Sequence, residues 1–549
     1  MTSLGIRSME LTESGQKLEG RKAVVYVVLI SFAVLVPALL FGIPSNVDLL
    51  NHFRFALPFA EAVSAGNFYP GWLAESNEGF GDPSFRFYPP ALYYLLTLMT
   101  STTGSWYSGT LLTFVFLSVV GGLGVYLWAR AFLDPSASMC ASAFYAVAPY
   151  HLNELYQASL LAEYAGCAVL PFVFAFAERI RSGGDRKAVA GLAAAYAGLI
   201  LTHLPLTVVV STALVIYAVA RPTTNKRIKT LSQFGFAIGL GLTASAVYWT
   251  TMLSELSWVR INREGTDALV DYNKNFLLSS LSPENLNVWW MNILAFLTLL
   301  LILPALLLRW KEAGSGARTT MMLVVGSVVM ALPISWPIWR LMPPMQQTQF
   351  PWRWLTVLSV AGAILAGAGL SQLGRLKRTN KLLVLGAMLI SITFSFSHII
   401  REARYLNESQ FQQMLTTVRG SASVNYWFPV WASITPRRME TQVEAPGRSV
   451  VVDTWQAEHR RFTVEAGTAS FARVKTFYYP HWTAAVGPEQ LELKPDTDGA
   501  LLVALPAESA TIELTFREPH LSSYSGVASG IGWAFILALS APKPMRRNI

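Results

Sequence analysis

Cysteine and charged residues are both scarce in this 549-residue sequence, which has two cysteines and only 14% charged residues. Cys140 and Cys167 lie in apolar stretches, which excludes a disulfide framework and gives no indication of redox chemistry. The sequence also lacks a P-loop, a dinucleotide fingerprint and a Ser-His-Asp order. It therefore offers no recognised nucleotide-binding motif and no serine-hydrolase arrangement.

Apolar residues dominate the sequence instead. They make up 53% of the chain, and the mean hydropathy of +0.40 is typical of a membrane protein. Runs of sufficient length predict about twelve membrane-spanning helices. The candidate spans are 24–43, 109–132, 137–149, 161–178, 188–203, 204–220, 231–252, 289–309, 319–335, 354–373, 382–399 and 522–540. No small-residue cleavage site follows the first run, so we expect a retained helix there.

Basic residues cluster in short loops between these spans. The clusters are Arg21 with Lys22, Arg130, 179–187, 221–229, 309–318, 375–381 and 543–547. With twelve spans they all fall on one side, which the positive-inside rule assigns to the cytoplasm, together with both termini. The net charge of +9 thus indicates orientation in the plasma (inner) membrane rather than a nucleic-acid partner.

The opposite side of the membrane is predicted to carry the long loops and most of the polar residues. Loops 44–108, 255–288 and 336–353 emerge there from a transmembrane module spanning 1–399. Segment 400–521 loses its apolar runs and gains alternating apolar and polar residues between Gly, Pro and Asp turns, which predicts a small β-rich domain. The stretch 407–418 has helical spacing and suits the membrane surface. Residues 522–549 form the last span and a cytoplasmic tail.

Asp48 and His52 open the first outer loop. They are four residues apart and share a face if this stretch is helical, with Arg54 nearby. A carboxylate at the membrane boundary is costly, which favours a functional role. Asp48 is a candidate general base, and His52 a candidate for orienting substrate or binding phosphate. The structural alternative is a solvated helix end or an ion pair between Asp48 and Arg54.

Aromatic residues alternate with Gly and Pro through the rest of this loop, from Tyr69 and Trp72 to Tyr88. Such a pattern predicts a rigid, irregular loop that stacks on sugar rings or lies at the lipid headgroups. An aromatic belt at the membrane interface is the alternative. Arg86 lies near the end of this pattern and is a candidate phosphate ligand.

A further group of polar residues consists of His151, Glu154 and Glu163, at the start of the fourth span. A carboxylate inside an apolar span needs a polar partner or a wet cavity, so these residues are candidates for binding substrate. Together with Asp48 and His52 they also form an alternative divalent-metal site, although their spacing fits no tight ligand motif.

Arg353 lies between Trp352 and Trp354 at the start of the tenth span. Arginine binds phosphate through two hydrogen bonds, and indoles anchor at the membrane interface, so Arg353 and Trp352 are candidates for binding a lipid phosphate. Interfacial anchoring alone is the alternative. The run 478–482 in the β-rich segment is assigned to hydrophobic packing.

These features form a joint pattern along most of the chain. Its motifs are Asp48-xxx-His52-x-Arg54, Tyr69-Pro-x-Trp72, Gly79-x-Gly81-x-Pro83, Phe87-Tyr-Pro-Pro90, Tyr150-His151-Leu, Glu163, His203-Leu-Pro205 and Phe350-Pro-Trp-Arg353-Trp. The pattern resembles bacterial membrane proteins described as 6-pyruvoyl-tetrahydropterin synthase-related, and more broadly the GT-C superfamily of membrane glycosyltransferases. The sequence lacks the histidine cluster that a zinc-dependent pterin enzyme needs.

The resemblance implies a GT-C-like helical membrane fold that transfers a hexose or pentose from a polyprenyl-phosphate donor. The acceptor would be a glycan, lipid or protein outside the cytoplasm, with Asp48 as base and Arg86 and Arg353 holding the leaving phosphate. One departure from the pattern is Gln157, which stands where this group often has arginine. Two other functions remain open, a transporter of lipid-linked saccharides and a non-catalytic scaffold of envelope assembly.

Overall fold

Helices account for most of the chain. A computed structural model describes residues 3–46, 48–220, 227–260, 270–282, 285–308, 314–420, 427–433, 435–468 and 470–542. Its first helices are α1 Ser3–Phe41, α2 Leu49–Ser64, α3 Ala91–Thr103, α4 Trp106–Ala129, α5 Pro135–Ala146, α6 Pro149–Tyr156, α7 Leu161–Arg181, α8 Arg186–Thr202, α9 Leu204–Val219, α10 Arg227–Ala244 and α11 Ala246–Glu255. The later helices are α12 Leu286–Leu301, α13 Ser315–Ala331, α14 Trp336–Leu341, α15 Pro343–Gln346, α16 Trp354–Leu370, α17 Arg378–Phe394, α18 Glu408–Gly420 and α19 His520–Ser540.

The strands concentrate between α18 and α19, as the alternating sequence predicted. They are β1 Ile43–Pro44, β2 Val259–Arg260, β3 Tyr405–Leu406, β4 Phe428–Pro429, β5 Val443–Glu444, β6 Val450–Trp455, β7 His459–Val464, β8 Ser470–Phe477, β9 Trp482–Val486, β10 Glu489–Leu491, β11 Leu493–Pro495, β12 Ala500–Leu505 and β13 Ala510–Phe516. Two antiparallel sheets, in the orders β10-β9-β13-β7-β6 and β11-β12-β8-β5, share one buried apolar core. We call this pair of sheets the β-sandwich.

The length of the helices supports fewer spans than the sequence suggested. Within the described residues, six helices are long and apolar enough to cross a membrane, or up to eight if each bent helix pair is one span. The bent pairs turn by 72° between α10 and α11 and by 88° after α13. Several predicted spans appear as shorter helices, among them α5, α9 and α12. The predicted number of about twelve is therefore not confirmed, and the proposed sidedness remains a prediction.

The first outer loop is more regular than expected. Segment 44–108 contains α2 and α3, and only residues 65–90 between them are largely irregular. The condition under which Asp48 and His52 share a face, a helical stretch, is met, because α2 begins at Leu49 with Asp48 as its N-cap residue. The predicted helix after residue 407 is also confirmed as α18, whose Phe411 packs edge-on against Phe53 of α2.

Irregular residues 65–90 insert into the β-sandwich. The Trp72 indole is completely buried and contacts Tyr479, Trp482 and Phe516, with ring centroids 5.4 to 5.8 Å apart. Phe80 packs on Phe477 in the same core. The prediction that these aromatic residues stack on sugars or form an interfacial belt is therefore wrong for Trp72, since its ring already fills the sandwich.

A short strand pair links the first helix to the β-rich segment. β1 follows α1 and pairs with β3, which precedes α18. Gly42, with φ +117°, lies so close to Leu406 that any Cβ would overlap its backbone carbonyl. The end of α1 and the start of the β-rich segment therefore lie at the same end of the helical module.

Candidate functional site

Asp48 lies at this end of the helical module, directly before α2. Its carboxylate is half-buried, and its backbone N–H donates to the carbonyl of Ala158 over 3.2 Å. Asn51 Nδ2 donates to Asp48 Oδ1 over 3.0 Å, and Arg54 Nη1 donates to Asn51 Oδ1 over 3.3 Å. Asn51 thus links Asp48 to Arg54. Oδ2 of Asp48 accepts no hydrogen bond from the described residues. One carboxylate oxygen remains open to a substrate.

His52 connects three helices. Its Nε2 accepts a hydrogen bond from the backbone N–H of Leu161 over 3.1 Å, so Nδ1 carries the proton and donates to Tyr93 Oη over 3.1 Å. Burial lowers the pKa of His52 to about 4, although the negative charge of Asp48 opposes the shift. Both ring nitrogens are occupied and the ring is neutral. The catalytic and phosphate-binding roles suggested for His52 therefore do not fit its surroundings, which favour a positioning role.

Arg353 and Glu163 form a buried ion pair beside this histidine. Arg353 Nε donates to Glu163 Oε2 over 3.0 Å, and Tyr150 Oη donates to Glu163 Oε1 over 3.1 Å. Arg353 Nη1 donates to the carbonyl of Thr348, and the guanidinium lies 5.0 Å from the Phe350 ring centroid. Its Nη2 has no hydrogen-bond partner among the described residues. Glu163 therefore orients a cation that keeps donors available.

Two further predicted residues, Glu154 and His151, lie on α6 and are buried. The Glu154 side chain is 1% exposed, and its Oε2 has no hydrogen-bond partner in the described structure. Burial and the negative charge of Glu163 raise the pKa of Glu154 well above its usual range. His151 is stacked between Tyr145 and Tyr164, at 4.3 and 4.9 Å between ring centroids.

These groups form one continuous set, which we call the polar cluster: Asp48, His52, Glu154, Glu163 and Arg353. His203, between α8 and α9, interacts electrostatically with both His52 and Arg353 and so links the two halves. Glu154 interacts in the same way with Glu163 and Arg353. Residues as far apart in sequence as Asp48 and Arg353 are thus gathered at one end of the helices.

Trp352 is also drawn into the helical core. Its side chain is 7% exposed and stacks on Phe350 with ring centroids 4.8 Å apart, while Trp354 is completely buried. Indoles enclosed in this way cannot anchor at a lipid interface, so the anchoring role suggested for them is wrong. Of these aromatic rings, Phe350 is the one that lies against the Arg353 guanidinium.

Arg86 lies outside the polar cluster. Its guanidinium donates to Glu255 from Nε and Nη2 over 2.5 and 2.7 Å, and from Nη1 to Glu518 over 2.6 Å. The side chain is 1% exposed. A cation that is buried and neutralised by two carboxylates has no free edge for a phosphate, which corrects the phosphate-binding role suggested by the sequence.

Tyr88, in contrast, remains at the site. It is half-buried, stacks on Phe55 at 5.2 Å between ring centroids, and hydrogen-bonds with Tyr93. Tyr93, the partner of His52, is a site residue that sequence reasoning missed. An aromatic hydroxyl in an apolar helix could have indicated Tyr93, but the residues of α3 were assigned to a loop. Asn51 was missed because its neighbours carry formal charges.

The metal alternative finds no geometric support in the part of the chain that the structure describes. No three His, Cys, Asp or Glu side chains in those ranges lie close enough together to hold a metal ion. Within the polar cluster, His52 already uses both nitrogens and Glu163 is engaged by Arg353 and Tyr150. The groups that can react or bind here are the open carboxylate oxygen of Asp48 and the free edge of the Arg353 guanidinium.

Comparison with solved structures returns membrane transferases. Mycobacterial arabinofuranosyltransferase AftD matches 69% of this chain with 16% identity and a TM-score of 0.45. ArnT from Cupriavidus metallidurans, bound to undecaprenyl phosphate, matches 68% of this chain and 63% of its own length, with 13% identity and a TM-score of 0.43. The archaeal oligosaccharyltransferase AglB from Archaeoglobus fulgidus matches 72% of this chain and 57% of its own, with 13% identity and a TM-score of 0.37. The matched region of AftD is 27% of that protein.

Comparison of the sequence with known families is more decisive. No curated protein sequence matches the chain. A family model described as "6-pyruvoyl-tetrahydropterin synthase related domain; membrane protein" matches residues 85–405, more than half of the 549 residues. This range includes Glu154, Glu163 and Arg353 of the polar cluster. The chain belongs to the 6-pyruvoyl-tetrahydropterin synthase related family of membrane proteins.

Proposed function

We propose that this protein is a membrane glycosyltransferase that moves a sugar from a polyprenyl-phosphate donor to an acceptor outside the cytoplasm. The observation that supports this most is that the polar cluster contains both a carboxylate and a guanidinium with open polar atoms. Asp48 offers an open carboxylate oxygen, and Arg353 offers free N–H groups at the same end of the helices. A general base and a phosphate-binding cation are the two groups that such a displacement needs.

The reaction is a single displacement at the anomeric carbon. The acceptor hydroxyl oxygen forms a bond to this carbon while the bond from the carbon to the phosphate oxygen breaks. Asp48 takes the hydroxyl proton, and polyprenyl phosphate leaves with the bonding electron pair. Arg353 stabilises the negative charge that develops on the phosphate. Attack from the side opposite the leaving group inverts the anomeric configuration.

Other residues of the site hold these two groups in place. Asn51 fixes the Asp48 carboxylate through Oδ1, and Glu163 fixes the guanidinium through Nε. His52 ties the start of α2 to α3 and α7 without itself changing charge. Arg54 and Tyr88 are half-buried at α2, where Tyr88 stacks on Phe55, and we assign both to contacts with the sugar. The catalytic role assigned to His52 is thereby replaced by positioning, and Arg86 takes no part.

We place the reaction on the outer face of the plasma membrane. A polyprenyl-phosphate sugar is presented there without a nucleotide, which agrees with the missing nucleotide motifs. With the twelve spans that the sequence predicts, the clustered basic loops assign both termini to the cytoplasm and the β-sandwich to the outside. A glycan, lipid or protein of the cell envelope is then the acceptor.

A second candidate function is transport of a lipid-linked saccharide. The two bent helix pairs, at 72° and 88°, favour it, because broken helices are frequent in transporters. A transporter moves its substrate without cleaving it. A non-catalytic scaffold would need neither an open carboxylate nor a free guanidinium edge.

The deciding experiment measures transfer of radiolabelled sugar from a panel of polyprenyl-phosphate sugars to a membrane extract. Purified wild-type protein is compared with Asp48→Asn and with Glu61→Gln, an exposed carboxylate on the same helix α2. We expect transfer by wild type and Glu61→Gln, and a loss of at least about a hundredfold in Asp48→Asn. Equal transfer by a folded Asp48→Asn protein would exclude Asp48 as the base. No transfer from any donor would favour transport or a scaffold.

A further inference from the structure

A cavity of about 400 Å³ lies between the irregular loop and the β-sandwich, separate from the polar cluster. Its lining is mostly polar. The lining residues are Glu78, Phe80, Arg438, Met439, Glu440 and Lys475. Its volume falls in the range of ordinary ligand sites, roughly 300–1,000 Å³. A polar lining of this kind does not suit an apolar ligand.

The cavity walls are fixed to one another by hydrogen bonds. The backbone N–H of Lys475 donates to the carbonyl of Gln442 over 2.8 Å, which joins β8 to the segment that carries Arg438 and Glu440. The N–H of Phe477 donates to the carbonyl of Phe80 over 2.6 Å, which joins β8 to the loop. The three walls therefore form a preformed site rather than a gap between mobile parts.

The charged side chains that line the cavity are uncommitted. Among the described residues, none of Glu78, Arg438, Glu440 and Lys475 takes part in a salt bridge. Some charged groups of the β-sandwich are paired, for example Arg437 with Glu444 at 2.5 Å, and others, such as Glu489, are exposed and in no salt bridge among the described residues. Glu78, Arg438 and Glu440 are exposed and Lys475 is half-buried, so a polar ligand can reach these donors and acceptors without breaking an ion pair first.

We propose that this cavity binds one sugar residue of a neutral glycan. Two carboxylates and two cations cancel in charge, so the site has no net preference for an anion or a cation. Sugar hydroxyls both donate and accept, and they match carboxylate acceptors alongside lysine and arginine donors. This assignment rests on the proposed function: the reacting acceptor hydroxyl lies at Asp48 and the donor phosphate at Arg353, so we assign the cavity to another sugar residue of a glycan acceptor.

Binding can be measured on the full-length protein in detergent without any transfer reaction. The probes are fluorescently labelled maltohexaose, mannohexaose and arabinohexaose, with hexagalacturonate and phosphoethanolamine as charged comparisons. We expect at least one neutral hexasaccharide to bind, with affinity reduced about tenfold or more in both Glu440→Gln and Lys475→Met. The control variant Glu489→Gln changes an exposed carboxylate on β10, away from the cavity, and should bind normally.

Several results would overturn this assignment. They are a lack of binding by all three neutral probes, preferential binding of hexagalacturonate or phosphoethanolamine, and equal binding by the cavity variants and wild type. The Asp48→Asn protein separates this inference from the proposed function, because it should bind the hexasaccharide normally. Binding without transfer in wild type would contradict only the transferase, and transfer without binding here would contradict only the cavity assignment.

Discussion

The guanidinium of Arg86 and the carboxylate of Glu255 form a two-point contact, from Nε to Oε2 at 2.5 Å and from Nη2 to Oε1 at 2.7 Å. Glu255 also accepts from Tyr479 Oη over 2.7 Å, and its Oε1 lies 2.9 Å from His481 Nε2. The pair therefore joins the irregular loop, the end of α11 and the β-sandwich at one buried point. It fixes the orientation of the sandwich on the helices.

Replacement of this arginine should weaken the whole protein. In Arg86→Met, Glu255 keeps a buried charge without its main partner, so we expect a loss of about 3–5 kcal/mol of stability. A thermal melt in detergent measures it. Glu518→Gln is the matched control, since Glu518 is 36% exposed and an ion pair at the surface contributes up to about 1 kcal/mol. Equal melting temperatures for wild type and Arg86→Met would show that the contact is dispensable.

Asp82 should make stability depend on pH. Burial raises the pKa of this carboxyl to about 7 from an ordinary 3.8. The folded state therefore binds a proton that the unfolded state has released, and stability falls as pH rises from about 4 to about 7, by about 1.4 kcal/mol per pH unit. Melting temperatures between pH 5 and 8 test this. Asp82→Asn keeps the acceptor for the Ser84 N–H and should be less sensitive to pH over this range. The same pH sensitivity in that variant would contradict the assignment.

Arg353→Lys should separate catalysis from folding. A lysine retains the charge beside Glu163 but cannot hold this carboxylate and also present a second N–H edge to phosphate. We expect a decrease in kcat for sugar transfer of about a hundredfold, with a melting temperature close to that of wild type. Exposed Arg419→Lys on α18 serves as the control and should keep full activity. Unchanged kcat in Arg353→Lys would assign the leaving phosphate to another group.

Two glycines in the irregular loop test how tightly it enters the β-sandwich. Gly81 has φ +87°, and a Cβ there would overlap the Trp72 indole. Gly66 has φ +93°, but a Cβ there would meet open space. Both alanine variants strain the backbone, by about 1–3 kcal/mol, and Gly81→Ala should in addition displace Trp72. We expect a clearly lower melting temperature for Gly81→Ala than for Gly66→Ala, and a similar decrease in both would mean that the indole is free to move.

Apolar patterning predicted the helical module and the β-rich segment because both signals are local. The predicted number of spans is not confirmed, since a run such as 137–149 forms the short helix α5 beside α6. Apolar patterning assigned α2 and α3 to a loop because Pro and Gly neighbours and polar residues interrupt the apolar pattern there. Length and periodicity alone do not distinguish a spanning helix from a buried one.

All five members of the polar cluster were candidates from the sequence, because charged residues beside apolar runs are rarely accidental. The sequence could not separate Arg353 from Arg86. Both follow aromatic residues and precede a helix, yet only Arg86 meets Glu255 and Glu518, which lie more than 160 positions away in the chain. The surroundings of a charged side chain depend on such distant partners, and one sequence does not reveal them.

The position of Trp72 determines how late in synthesis the β-sandwich core can form. The core that surrounds this indole is made by Tyr479, Trp482 and Phe516, so it cannot close until nearly the whole polypeptide has been synthesised. Until then the Trp72 side chain of the first loop remains exposed, while the later helices are still being synthesised. A fragment that starts after residue 427 would lack its central indole, so the β-sandwich is a late product of biosynthesis rather than a module that folds alone.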